Sequence, residues 1–92
     1  MDEHADRATV TPLVIPEIVR LPGEIDIANA DQVRTGLCAA AQPGVAVVIA
    51  DMTATQFCDS CGVRSLLVAH DAADRAGAEL RLVIPSAAVT RM

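Results

Sequence analysis

The stretch Phe57-Cys58-Asp59-Ser60-Cys61-Gly62 holds most of the side chains in this chain that could do chemistry. Three kinds of chemistry are open to it. Asp59 and Ser60 are residue types that cap a helix, and the N–H groups and positive dipole end of a helix start would hold a phosphate on Ser60 without strain. The bland version is an N-cap pair and nothing more. Cys58 and Cys61 also spell C-x-x-C at a strand-to-helix junction, where a thioredoxin-like dithiol redox protein keeps one thiolate stabilised by the helix end. Against that, no tryptophan stands beside the motif and no proline lies between the cysteines. Finally, Cys38, Cys58, Cys61 and His70 or His4 are ligands enough for zinc, yet a structural zinc pattern has paired C-x-x-C knuckles and here there is one. No metal and no cofactor is expected. Paired carboxylates at catalytic spacing, a nucleophile beside a base and a glycine-rich phosphate loop cannot be named either, so the chain is expected to dock to another protein and not to be an enzyme.

The elements that must position this loop are set by changes of hydrophobic period. Residues 1–9 are polar and charged and read as a flexible leader, leaving 10–92 as one domain. Val10 to Ile15 and Glu17 to Leu21 are short β-branched segments punctuated by Pro12, Pro16 and Pro22, which predicts an edge hairpin. Asn29 as N-cap, Gln32 three residues on, and Ala30, Val33, Leu37 and Ala40-Ala41 at helical spacing predict a first helix that Pro43-Gly44 stops. Val45 to Ala50 is apolar on both faces and predicts a central parallel strand covered by helices on both sides. From Val63 the period returns to 3.6, with Val63, Leu66, Leu67, His70 and Ala73 on one face and Gly77 placed for a left-handed cap. A histidine there is expected to be partly buried, with no catalytic role. Leu80 to Ile84 is the next strand, and Ser86 caps a last short helix through Met92. The order β-β-α-β-α-β-α predicts an α/β fold with a mixed, mostly parallel sheet, and loops at the carboxyl ends of its strands are where such folds carry sites.

Composition narrows the partners. At 92 residues the chain holds one core. A net charge of −5 is the wrong sign for nucleic acid or anionic lipid, and the longest purely apolar run, Val45 to Ala50, is far short of the ~20 residues that a membrane helix needs. The charged N-terminus lacks a signal core and the three cysteines are an odd count, so free thiols and a cytoplasmic location are expected.

Taken in order, Gly23-Glu24-Ile25-Asp26, Asn29-Ala30, the apolar strand ending in Asp51, the Phe57 to Gly62 loop and Gly77-Ala-Glu-Leu-Arg-Leu-Val-Ile-Pro85 resemble the STAS domain. Within it they are most similar to the bacterial anti-sigma factor antagonists, and the likeness runs from about Val14 to Met92. The Gly-Glu-x-Asp and Asp-Ser-x-Gly turns at this separation are far more specific together than either alone. The resemblance implies a partner switch in transcription regulation: the unphosphorylated antagonist binds an anti-sigma factor that is also a Ser/Thr kinase, and phosphorylation of the loop ends the binding. It implies Asp26 and Asp59 as loop carboxylates near the acceptor, Gly62 as a close-approach position, and Val63 and Arg64, with Ser60 and Cys61, as docking surface. It also places Cys58 where the family has a buried apolar residue. Turn and cap chemistry at Asp26 and Asn29 is compatible with those roles.

Two departures stand out. The family's loop usually reads Asp-Ser-Ser-Gly or Asp-Ser-Thr-Gly, and the hydroxyl directly before the glycine is often the acceptor, where this chain has Cys61. A thiol does not replace that hydroxyl as a kinase substrate, so either Ser60 accepts the phosphate or the protein is a non-switchable STAS interaction module. The family also continues with a further strand and a long helix beyond the helix begun at Ser86, which leads to the expectation that Leu80 to Ile84 is an apolar edge open to self-association.

Overall fold

The computed structural model describes residues 14–85. Its elements are β1 (Glu17–Arg20), β2 (Glu24–Ile25), α1 (Ala30–Ala40), β3 (Val47–Asp51), β4 (Phe57–Cys58), α2 (Ser60–Arg75) and β5 (Glu79–Val83). The expected last helix from Ser86 and the expected strand up to Leu13 lie outside the described residues. Val14 and Ile15 carry no regular structure.

β3 is the central strand, as its apolar run implies. It pairs in parallel with β1 on one side, Ile18 opposite Ile49, and with β5 on the other, Val48 opposite Leu80. β1 and β5 are therefore the edges of the described sheet. The steps from β1 to β3 and from β3 to β5 run in one direction, so crossovers of the same right hand set their helices on the same face. Burial along β3 agrees: Val48 and Ala50 are fully buried, whereas Val47, Ile49 and Asp51 are half-buried. Expectation and structure differ here, because among the described residues helices cover one face of β3 and not two. An apolar run cannot distinguish a strand covered on both faces from one whose second face is partly open.

A short second sheet, β2 paired in parallel with β4 through Glu24 opposite Phe57 and Ile25 opposite Cys58, stands at the carboxyl ends of the main strands. Neither β2 nor β4 is legible as a strand in the sequence, since two residues have no period. The two segments are held by more than that ladder. The carbonyl of Gly23 accepts from the N–H groups of Gln56 (2.7 Å) and Phe57 (3.2 Å), that of Ile25 from Asp59 (3.0 Å), and the buried hydroxyl of Thr55 donates to the carbonyl of Pro22 (2.8 Å).

α1 buries Val33 and Leu37 as its spacing requires. The expected cap at Asn29 does not form in its usual way. Asn29 Oδ1 accepts from the backbone N–H of Asp26 (3.0 Å) and Nδ2 donates to the carbonyl of Glu24 (2.8 Å), so the side chain reaches back to the strand before the helix. Asp26 Oδ1 in turn accepts from the N–H of Ala28 (2.9 Å), an Asx turn.

α2 starts three residues earlier than the returning period suggests, and its buried stripe is rotated from the expected one. Gly62, Ser65, Leu66, Ala69 and Ala73 face inward, while Leu67 is 61% exposed and His70 is exposed beside Asp71. The physical reason is size: the small residues Gly62, Ser65, Ala69 and Ala73, at i, i+3, i+7 and i+11, let the helix sit close against its neighbours with Leu66 beside them, and Leu67 and Val68 on the flanks of that stripe are left outside. Ser65 is silent in a hydrophobic count, yet buried with its hydroxyl donating to the carbonyl of Gly62 (2.7 Å). The helix ends as Gly77 implies. Gly77 has φ +84°, its N–H donates to the carbonyl of Asp74 (3.1 Å), and that of Ala78 to the carbonyl of Ala73 (2.8 Å), a Schellman closure.

Because Asn29 makes two hydrogen bonds to the backbone of the β2 turn, Asn29→Ala is expected to lower stability by about 1–2 kcal/mol in urea unfolding, at roughly one-half to one per lost bond. A change below ~0.5 kcal/mol would show that the turn holds its shape without the side chain.

Candidate functional site

The Phe57 to Gly62 segment passes from β4 into α2 through one extended residue. Asp59 has φ −86° and ψ −173°, and its Oδ1 accepts from the N–H of Gly62 (3.0 Å) while its carbonyl accepts from Val63 (2.9 Å). Asp59, and not Ser60, is therefore the cap, and Ser60 is the first residue of the helix with its side chain exposed.

Gly62 sets how close the helix start lies to β2. A Cβ at that position would stand 2.6 Å from Cys58 Sγ, 2.8 Å from Ile25 Cγ2 and 3.1 Å from the Ile25 carbonyl oxygen. Ile25 and Cys58 are completely buried. The Gly-Glu-x-Asp turn and the Asp-Ser-x-Gly turn thus meet through one hydrogen atom of glycine, and Asp26 follows Ile25 directly on the rim of the same assembly.

The three cysteines are free thiols in different settings: Cys58 buried, Cys38 and Cys61 half-buried. Burial, with the neighbouring Asp59 carboxylate adding to it, pushes the Cys58 thiol above its ordinary pKa. That is the opposite of the shift a nucleophilic dithiol requires. Its weak contact is to the carbonyl of Asp59 (3.7 Å), and it fills the core as an apolar residue would. Among the described residues no three His, Cys, Asp or Glu side chains gather as metal ligands; His4 lies outside them.

An open groove of about 750 Å³ runs along this end of α2, lined by Phe57, Asp59, Ser60, Val63, Arg64 and Leu67 among others. Asp59, Ser60, Cys61, Val63 and Arg64 come together on it, Gly62 lies buried beneath, and Asp26 contributes no lining. Phe57 and Leu67 are the residues that sequence reasoning missed, at 51% and 61% exposed. The signal for Phe57 was present, since it is the chain's single aromatic and stands beside the loop.

The STAS domain family model matches residues 7–92. The chain belongs to the STAS domain family. Among solved structures it is similar to the anti-sigma factor antagonist SpoIIAA in its unphosphorylated form, with TM-score 0.67 and 28% identity over 87% of this chain and 72% of SpoIIAA. It is also similar to Mglu, at TM-score 0.66 and 18% identity over 76% of this chain and 17% of that one. The murine solute carrier 26 family member A9 anion transporter, in its inward-facing state, matches at TM-score 0.62 and 21% identity over 78% of this chain and 12% of the transporter. The last two are far longer than this chain, and at their identities the likeness is one of fold. A search of curated protein sequences finds no match. Among the described residues no helix is long and apolar enough to cross a membrane.

Gly62→Ala is expected to destabilise the STAS domain by about 1–3 kcal/mol, because overpacking against Cys58 and Ile25 outweighs the ~1 kcal/mol by which alanine favours a helix interior. Stabilisation on thermal unfolding would refute the close approach. In the folded protein iodoacetamide is expected to label Cys61 and Cys38 before Cys58, which reacts fully only in denaturant; mass spectrometry of timed quenches reads the order.

Proposed function

We propose that this STAS domain is an anti-sigma factor antagonist that binds an anti-sigma factor with Ser/Thr kinase activity and is released when Ser60 is phosphorylated. The observation that carries the reading is the position of Ser60: an exposed hydroxyl on the first residue of α2, directly after the Asp59 cap and on the rim of a groove with exposed apolar walls. The likeness to SpoIIAA supports the partner class. Docking would desolvate Phe57, Val63 and Leu67 around Ser60, and apolar area removed from water supplies the attraction.

Phosphorylation then acts by charge. A phosphoryl group adds roughly −1.5 to −2 charges next to Asp59, whose carboxylate is already committed to the N–H of Gly62. The helix start tolerates that charge because it points out from the N-terminal end, so the fold survives. The docked state does not, because a doubly charged group cannot be stripped of water against an apolar partner surface at small cost. Asp26 belongs to this reading as a second carboxylate, its Oδ1 held by the N–H of Ala28 at the neighbouring turn.

A second reading, an interaction module that is never switched off, is favoured by one observation: Cys61 occupies the position at which the family usually carries the acceptor hydroxyl. The two readings agree on the docking face and differ in whether phosphorylation ever ends the binding. In both, the domain binds and does not catalyse, and it works in the cytoplasm, where anti-sigma factors and thiols coexist.

Ser60→Asp is expected to weaken binding to the cognate anti-sigma factor by about ten-fold or more, ~1.4 kcal/mol, while Ser60→Ala leaves it within two-fold, by calorimetry. Equal affinity of the two variants would remove Ser60 from the switch. With kinase and ATP, Cys61→Ser is expected to be phosphorylated faster than wild type and at position 61 as well; identical rates and sites in peptide mass spectra would show that Cys61 is not the departure that matters.

A further inference from the structure

Exposed large apolar side chains fall into two groups among the described residues. One group, Val14, Ile15, Ile18, Leu82, Val83 and Ile84, lies on β1, β5 and the residues that join them to the segments outside the described residues, and nothing in the structure shows what covers it. The other, Ile27, Phe57, Leu67 and Val68, surrounds the start of α2. Phe57 and Leu67 line the groove beside Ser60. Ile27, 80% exposed, and Val68 line a second groove of about 510 Å³ between α1 and α2, together with Ala30, Asp31, Arg34 and Cys61.

Arg64 lines both grooves, on the ridge that separates them. The other charged groups of the second groove neutralise each other: Arg34 Nη2 and Nε donate to Asp31 Oδ1 at 3.0 and 3.3 Å. Arg64 makes no ion pair among the described residues. The surface around Ser60 is thus two apolar clefts with the Asp59 carboxylate, held by the Gly62 N–H, on the wall of the first and the unpaired Arg64 guanidinium on the ridge between the two, on a chain whose net charge is −5. A cation placed so, against the sign of the whole molecule, is complementary to a carboxylate on whatever docks there.

We propose, resting on the reading of the protein as an anti-sigma factor antagonist, that the partner straddles Arg64: it places an apolar side chain against Ile27 and Val68 in the second groove and a Glu or Asp carboxylate on the Arg64 guanidinium. The docking face therefore extends from α2 across to the β2–α1 turn, and Arg64 selects the charge of the partner. Ile27 supplies apolar contact area at a position where the domain's own fold makes no use of it. The Arg64 side chain is exposed on that ridge, and a solvent-facing charge steers the encounter, so it sets the rate and salt dependence of association.

The test uses the full chain and the recombinant anti-sigma factor kinases of its source organism, with stopped-flow association measured from ~20 to ~500 mM salt. For the kinase that binds wild type, association is expected to slow as salt rises. Arg64→Glu is expected to lower the low-salt rate by ten-fold or more and to flatten or invert the salt dependence, whereas Arg64→Lys keeps both within about three-fold. Ile27→Ser, with an unchanged melting temperature, is expected to raise the dissociation constant by about ten-fold, mostly through faster dissociation. If Arg64→Glu binds with the wild-type rate and salt dependence, or faster, the carboxylate contact is overturned. Wild-type affinity for Ile27→Ser overturns the second groove, and either result leaves the antagonist reading standing. If wild type binds none of the kinases, the antagonist reading falls and the inference falls with it.

Discussion

The contact on which the rest of this domain depends is the approach of α2 to β2 at Gly62. With a Cβ there, Cys58 Sγ and Ile25 Cγ2 would be overlapped, and both side chains are too deeply buried to yield without repacking the core. The helix start, the β2 strand and the β4 strand are consequently one unit. Backbone hydrogen bonds from Gln56 and Phe57 to Gly23 and from Asp59 to Ile25 tie the same segments together. A site assembled from two loops far apart in sequence thereby gains the rigidity of a strand pair.

Several side chains that look chemical are consumed in building this unit. Asp59 commits one oxygen to the N–H of Gly62, Asp26 one to Ala28, and Asn29 both its amide groups to the β2 turn. Cys58 is a core residue with a thiol that burial keeps protonated. What is left at the surface is simple: a hydroxyl at Ser60, a half-buried thiol at Cys61, a guanidinium at Arg64, and apolar walls. Such a surface offers apolar area and few charges for recognition, and a phosphoryl group added at Ser60 would change its charge without disturbing the fold beneath.

SpoIIAA is an anti-sigma factor antagonist, whereas the murine anion transporter carries a similar structure as a small part of a much longer chain. In this chain a turn fixed to a helix start stands beside an apolar groove, and what such a site does is set by the side chains around it. Those include Cys61 in place of a hydroxyl, and Ile27 and Arg64 at the junction of two clefts.

Sequence alone determined the α/β class, the central strand, the first helix, the Gly77 closure and the family, because each rests on a local signal: a period, a breaker, or a pair of turns at fixed separation. It also singled out Asp59 to Gly62, which the structure places at the start of α2 with Asp59, Ser60 and Cys61 beside the groove. Tertiary structure decided what local signals do not carry. The buried stripe of α2 runs through Gly62, Ser65 and Ala69 because small residues permit close packing, so Leu67 and His70, apolar or amphipathic by type, stand in solvent. Asn29 turned from helix cap to turn clamp because a backbone carbonyl at Glu24 lay within reach, a neighbour that no spacing rule supplies. Ile27 and Val68 face one groove only because α1 and α2 lie side by side, and a surface shared by two helices exists in no single stretch of sequence.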